Sequence, residues 1–282
     1  MAAIKPVRVA VLDLYNGVDN QGMRCIRNLV SESDGRYLNT PVIMQEFDVR
    51  SKAEVPDTDF DIYISSGGPG SPFDGEGSQW EYRYFKWMDA LWDHNTNTTG
   101  SRKYVLSICH SFQLMSRHFD IADVVPRKSD SFGVLPVHLT EAGKADPLFS
   151  KLGRTFYAGD FREWQVLQPR MKSIQSLGAS IMALEKIRPH IPLERAVMAM
   201  RISPEIVGTQ FHPEADPVGM AHHFSQETQR NGIIQKHGLA KFEQIMKRLD
   251  DANYLQRTYD RFIPSFIQNA VANLRGEPET VF

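Results

Sequence analysis

Residues 103–119 read KYVLSICHSFQLMSRHF, and the pattern changes period at a single residue. Lys103 to Ile108 is short and β-rich, whereas Cys109 to Phe119 has helical period with Leu114 and Phe119 on its apolar side. A strand that hands over to a helix at a cysteine presents that thiol at the carboxyl edge of a sheet, against the positive end of the helix. Ser107 and Ser111, two before and two after, are small enough for strand and helix to approach closely. Taken alone, Cys109 reads equally well as an inert buried thiol, because free cysteine is among the most buried residue types.

The rest of the chain supplies a setting for such a turn. Val7 to Leu14 reads as a buried strand, followed by Met23, Ile26 and Val30 at helical spacing. Pro41 to Phe47 and Phe60 to Ser65 are further strands, and the second runs into Gly67-Gly68-Pro69-Gly70-Ser71-Pro72, which no helix could continue through. Trp80, Tyr84, Trp87, Met88 and Leu91 recur at three and four, predicting an amphipathic helix whose aromatics pack in the core. Between Val124 and Thr209 the pattern predicts a succession of short strands. Alternating strands and helices in the first half predict a mixed, mostly parallel α/β sheet flanked by helices, with the later strands as a mixed edge.

Bulk properties narrow the function. A chain of 282 residues with 41% hydrophobic content can bury a full core. With 32 basic and 34 acidic residues interspersed, the net charge of -2 offers no field for nucleic acid or an anionic membrane surface. No apolar run approaches the roughly 18 residues of a membrane span. Cys25 and Cys109 are the only cysteines and neither lies in a metal-ligand pattern, so no metal or cofactor is expected and a reducing, cytoplasmic setting fits.

Two further segments carry chemistry. Gln210-Phe211-His212-Pro213-Glu214 ends a strand-like run, and residues two apart on an extended segment share a face. Glu214 can then accept from one His212 ring nitrogen while the other takes a thiol proton. A chance surface His/Glu pair is the plainer reading, with eight other histidines in the chain. Ser66-Gly67-Gly68-Pro69-Gly70 lets backbone N–H groups face a cleft without an intervening Cβ, although it also reads as a simple turn. Ser71-Pro72 follows in place of Gly-Lys-Ser/Thr, which disfavours a nucleotide phosphate loop.

SGGPGSP at 66–72, SICHSFQ at 107–113 and QFHPE at 210–214 together resemble the class I glutamine amidotransferases, most nearly the GMP-synthase-like amidotransferase domains. The likeness runs from about Val7 to about Met220, and GVLPVHLTEAGKADPLF at 133–149 shares the family's texture. It implies L-glutamine or a related γ-glutamyl compound as substrate. It further implies Cys109 as nucleophile, His212 as proton shuttle, Glu214 as its orienter, and the Gly68 and His110 backbone N–H groups as an oxyanion hole. Gln113 and Asp160 would hold the glutamine, and ammonia would pass to a separate synthetase subunit.

Ser107 and Ser111 stand where the family elbow carries glycine, which predicts local strain and tolerance of glycine at either position. Phe112 replaces a residue often polar in the family, predicting a reshaped pocket. Nothing after Glu214 supplies a nucleotide loop, so the chain can supply only the ammonia half of a synthetase. Two rival readings are a free-standing γ-glutamyl hydrolase and a catalytically silent binding or regulatory module. Residues 1–219 are expected to form the amidotransferase-like domain, and 220–282 a helical extension packed on it.

Overall fold

The computed structural model describes residues 5–36, 40–188 and 194–276. The first half alternates as the periodicity requires: β1 (Val7–Asp13), α1 (Gln21–Arg36), β2 (Val42–Asp48), the short α2 (Val49–Lys52), β3 (Ile62–Ser65), α3 (Gln79–Asn97), β4 (Tyr104–Ile108) and α4 (His110–His118). Then follow β5 (Asp123–Leu139), α5 (Glu141–Ala145), β6 (Thr155–Leu167), α6 (Met171–Leu177), β7 (Ser180–Glu185), β8 (Val197–Arg201) and β9 (Ile206–Thr209). The chain continues as α7 (Pro217–Ser225), α8 (Glu227–His237), α9 (Leu239–Asp250) and α10 (Leu255–Arg275).

The strands form one mixed sheet in the order β2-β1-β3-β4-β9-β8-β7-β5-β6. From β2 to β9 the pairings are parallel, and from β9 to β6 antiparallel. The chain leaves β1 for β2 on one side and for β3 on the other, so a crevice opens beyond the carboxyl ends of these strands. The segments after β1, β3, β4 and β9 therefore converge on one edge, and they contain the three motifs.

Each strand of the parallel half feeds two cores. Val9 and Val11 of β1 pack with Ile26, Leu29 and Val30 of α1, while Ala10 and Leu12 face the layer of Tyr84, Trp87, Met88 and Leu91 from α3. The α3 aromatics are thus packing residues, as their spacing suggests. Ser78 caps that helix, its Oγ accepting from the Glu81 N–H at 3.3 Å.

The antiparallel half departs from the expected run of short strands, since β5 spans 17 residues and β6 spans 13. Pro126 and Gly133 read as breakers, but the ladder continues past both. A register shift between Pro126 and Ser131 absorbs the first. Gly133, at φ 122°, lies where α9 crosses so closely that a Cβ would sit 2.9 Å from Ile245 Cγ1.

After β9, two apolar groups form. Met220, Phe224, Ile233, Ile245 and Leu249 cluster with Val134 against the β5–β6 hairpin. Phe262, Ile263, Phe266 and Ile267 of α10 join the core that contains α1 and β1. Burying such side chains contributes roughly 2 kcal/mol each, so these four α10 residues alone supply on the order of 8 kcal/mol. Residues 277–282 of the expected extension lie outside the described residues. No helix among the described residues is long and apolar enough to cross a membrane.

Candidate active site

Cys109 sits between β4 and α4 at φ 50° and ψ −97°, a backbone region that side chains rarely adopt. Its N–H donates to Thr209 O at 2.7 Å, which ties the elbow to β9. Neither Ser107 nor Ser111 has positive φ, so the strain expected at the serines falls on the nucleophile itself. Ser111 has a bonding role: its Oγ accepts from Ile108 N–H at 2.6 Å and donates to Ser65 O at 2.8 Å. A glycine there would strand a buried N–H, so the structure argues against tolerance at Ser111. Ser107 Oγ is buried beside the Tyr84 hydroxyl without a well-formed hydrogen bond, so a glycine there would forfeit no such bond. Phe112 is fully buried against Gly208, whose Cβ would meet it at 2.4 Å, so it fills the core and does not shape the cleft.

His212 is pinned by its N–H to Gly159 O at 2.8 Å. Its Nδ1 lies 2.7 Å from Glu214 Oε1. A carboxylate only accepts, so Nδ1 carries the proton and the other ring nitrogen is left for the Cys109 thiol. Burial opposes a charged ring, but the charges of Glu214 and Cys109 and hydrogen bonds to both outweigh it, holding His212 well above its ordinary pKa. His110, by contrast, is pushed down to about 3 by burial and by the nearby Arg50 and Arg117 charges. Its imidazole is neutral behind the elbow and does not compete as a base.

The glycine loop approaches from β3. Ser66 Oγ accepts from Leu14 N–H at 2.9 Å, pinning the loop to the end of β1. A Cβ on Gly67 would lie 2.9 Å from His212 Cε1, and one on Gly68 only 2.5 Å from Leu14 O. Glycine at both positions is a matter of space.

Gln113 Nε2 donates to Gln210 Oε1 at 3.3 Å, and Gln210 Nε2 reaches Cys109 Sγ at 3.7 Å. Asp160 is buried, accepting from Ser131 Oγ at 2.6 Å and Arg162 Nε at 2.8 Å. It stands behind the cleft wall, to which Ser131 and Arg162 contribute directly. Tyr15, just after β1, is a site residue that sequence reasoning misses. Its hydroxyl would be 3.2 Å from a Gly67 Cβ, and burial, then the Glu214 and Cys109 charges, keep it protonated. A lone tyrosine after a strand carries no motif, and only its place at the switch-point edge marks it.

Cys109 opens on two lobes. One of about 260 Å³ is lined by Gln113, Ser131, Arg162, Glu163 and Trp164. The other, about 1060 Å³, is lined by Tyr15, His212, Glu214 and residues of α1, α7 and α8.

The profile of the family described as Glutamine amidotransferase class-I matches residues 11–229, a span that holds all three motifs. The chain belongs to that family. Among solved structures it is similar to a glutamine amidotransferase from Thermotoga maritima, at 14% identity and TM-score 0.68 over 95% of this chain and 99% of the other. It is also similar to a protein from Thermoplasma acidophilum assigned to GMP synthase as one of its subunits, at 20% identity and TM-score 0.52 over 75% and 86%. The glutaminase domain of Trypanosoma brucei CTPS, solved with acivicin bound, matches at 14% identity and TM-score 0.53 over 74% and 86%. At these identities the likeness is one of fold. No curated protein sequence matches significantly.

Proposed function

We propose that the chain cleaves the side-chain amide of L-glutamine, or of a related γ-glutamyl compound, through a γ-glutamyl thioester on Cys109. Cys109 Sγ attacks the amide carbon with its proton held on His212, and the carbonyl oxygen becomes an oxyanion held by the Gly68 and His110 N–H groups. His110 opens α4, where the first N–H groups have no partner within the helix. His212 then gives its proton to the leaving nitrogen, the C–N bond breaks, and the amine departs. Water attacks the thioester with His212 as base, releasing glutamate and restoring the thiol.

The observation that carries this reading is the 2.7 Å His212–Glu214 pair facing a nucleophile on a strained elbow. Gln113 supports a role in placing the glutamyl group by lining the smaller lobe, and Asp160 acts through Ser131 and Arg162. Ammonia delivery to a separate synthetase subunit is one fate of the amine. The size of the His212-side lobe favours the second, a self-contained γ-glutamyl hydrolase. In this reading residues 1–219 form the amidotransferase-like domain and 220–282 the extension, whose described helices pack on it, supported by the α10 residues in the shared core. Two free thiols support a reducing, cytoplasmic setting.

Labelling with a thiol-reactive glutamine analogue tests the proposal. Rapid modification of Cys109, slowed by L-glutamine, is expected. Cys25 serves as an internal control, since burial pushes its thiol up to about 11. A Cys109 that reacts no faster than Cys25 would leave the silent-module reading in place.

A further inference from the structure

We propose that the substrate is a γ-glutamyl amide of a bulky, largely apolar amine, and that the larger lobe beside Cys109 binds this leaving group. The inference rests on the thioester reading above and narrows its substrate class.

Attack on the amide carbon divides the substrate in two: the glutamyl half stays bonded to Sγ, and the amine half takes a proton from His212. The amine must therefore leave on the side where the His212 ring stands. The two lobes share Gly68, Pro69, Cys109, Phe132, Phe161 and Lys236 but differ on this point, since His212 and Glu214 line the larger one and not the smaller. The smaller lobe, about 260 Å³, is nearer amino-acid size and is lined by the polar groups Gln113, Ser131, Glu163 and Arg162, the last paired with Asp160. That leaves the larger lobe for the amine.

Ammonia is far too small for it. A water-sized molecule takes about 30 Å³, whereas the lobe measures about 1060 Å³. That volume is at the upper end of small-molecule sites, roughly 300–1,000 Å³. Phe161, Met220, Phe224 and Ile233 give the wall an apolar stretch. Cations nearby are already matched: Arg24 holds Asp216 at 2.9 Å, Arg27 holds Glu46 at 2.7 Å and Lys236 holds Asp130 at 2.5 Å. An uncharged alkyl or aryl body therefore fits better than an anionic one. In net balance, the γ-glutamyl amide and water give glutamate and the free amine, with one C–N bond broken and one C–O bond formed.

The test compares kcat/KM of the full chain for L-glutamine and for γ-L-glutamyl-phenethylamide, whose amine is about as basic as ammonia, so a difference reports binding of the apolar body. A preference for the phenethylamide of roughly tenfold or more is expected, the scale of burying one ring. A Cβ on Gly232, in the lobe wall on α8, meets no atom within 4 Å. Gly232→Trp therefore has room for its Cβ at the lobe wall, and an indole occupying part of the lobe should cut the phenethylamide-to-glutamine ratio about tenfold, while Gly232→Ala leaves the ratio near wild type. Turnover of glutamine with equal or poorer use of the phenethylamide would overturn this inference and leave the thioester reading intact. So would a ratio indifferent to tryptophan. If neither compound acylates Cys109, the thioester reading falls as well.

Discussion

Replacing Cys109 by glycine and by alanine should give two inactive proteins whose stabilities fall in the reverse of the usual order. Glycine in place of alanine ordinarily costs about 0.5–1 kcal/mol through lost chain entropy. At φ 50° and ψ −97°, however, any residue with a Cβ carries strain of order 1–3 kcal/mol, and glycine carries almost none. Alanine keeps that strain and loses the sulfur; glycine loses both. Packing lost with the thiol is nearly common to the pair, because Cys109 is 5% exposed and both replacements vacate the same sulfur site. Subtraction leaves the glycine variant ahead by about 1 kcal/mol, or roughly 2–4 °C in midpoint for a chain of this size. Thermal unfolding of the two variants side by side reads the difference. An alanine variant that melts at or above the glycine variant would refute the claim that this fold stores strain at the nucleophile.

Glu214→Gln should lower kcat by about 10²–10³-fold, because it removes a charge close to the imidazolium and keeps a hydrogen-bonding group in place. His212→Ala should cost at least about 10⁴-fold, and in Glu214→Gln the His212 ring should titrate nearer its ordinary value by NMR. Equal rates for wild type and Glu214→Gln would remove Glu214 from the mechanism. Ser111→Gly should destabilise the chain by about 1–3 kcal/mol in urea titrations, having left the Ile108 N–H without its acceptor, whereas Ser107→Gly should cost less. Truncation before Pro217 should produce aggregation or a large fall in melting temperature, since the α10 contribution of roughly 8 kcal/mol is comparable to a whole domain's net stability. A soluble, monomeric and equally heat-stable truncated chain would contradict the self-packing of this segment.

The parallel half and the three motif segments are legible because each rests on local pattern: a period change at Cys109, a glycine run after a strand, and two groups sharing one face at His212 and Glu214. Their convergence follows from parallel strands, whose carboxyl ends share an edge. The long strands β5 and β6 read as fragments, since proline and glycine signal breaks unless a bulge or a close helix accommodates them, as happens at Pro126 and Gly133. Asp160 reads as a substrate ligand although Arg162, two residues on, shares its strand face and pairs with it. The serines are judged in sequence by the glycines they replace, and in the fold Ser111 is a hydrogen-bonding brace between β3 and the elbow. Tyr15 is invisible in the sequence, because its role depends on how three separate loops meet.

Mass spectrometry of the chain quenched during turnover with L-glutamine or γ-L-glutamyl-phenethylamide tests the central claim most directly. A γ-glutamyl adduct is expected on the peptide bearing Cys109, absent from the peptide bearing Cys25 and absent throughout in Cys109→Ala. It should accumulate further in Glu214→Gln if hydrolysis of the thioester slows more than its formation. Turnover without any Cys109 adduct, or an adduct that persists in Cys109→Ala, would contradict nucleophilic catalysis by this residue.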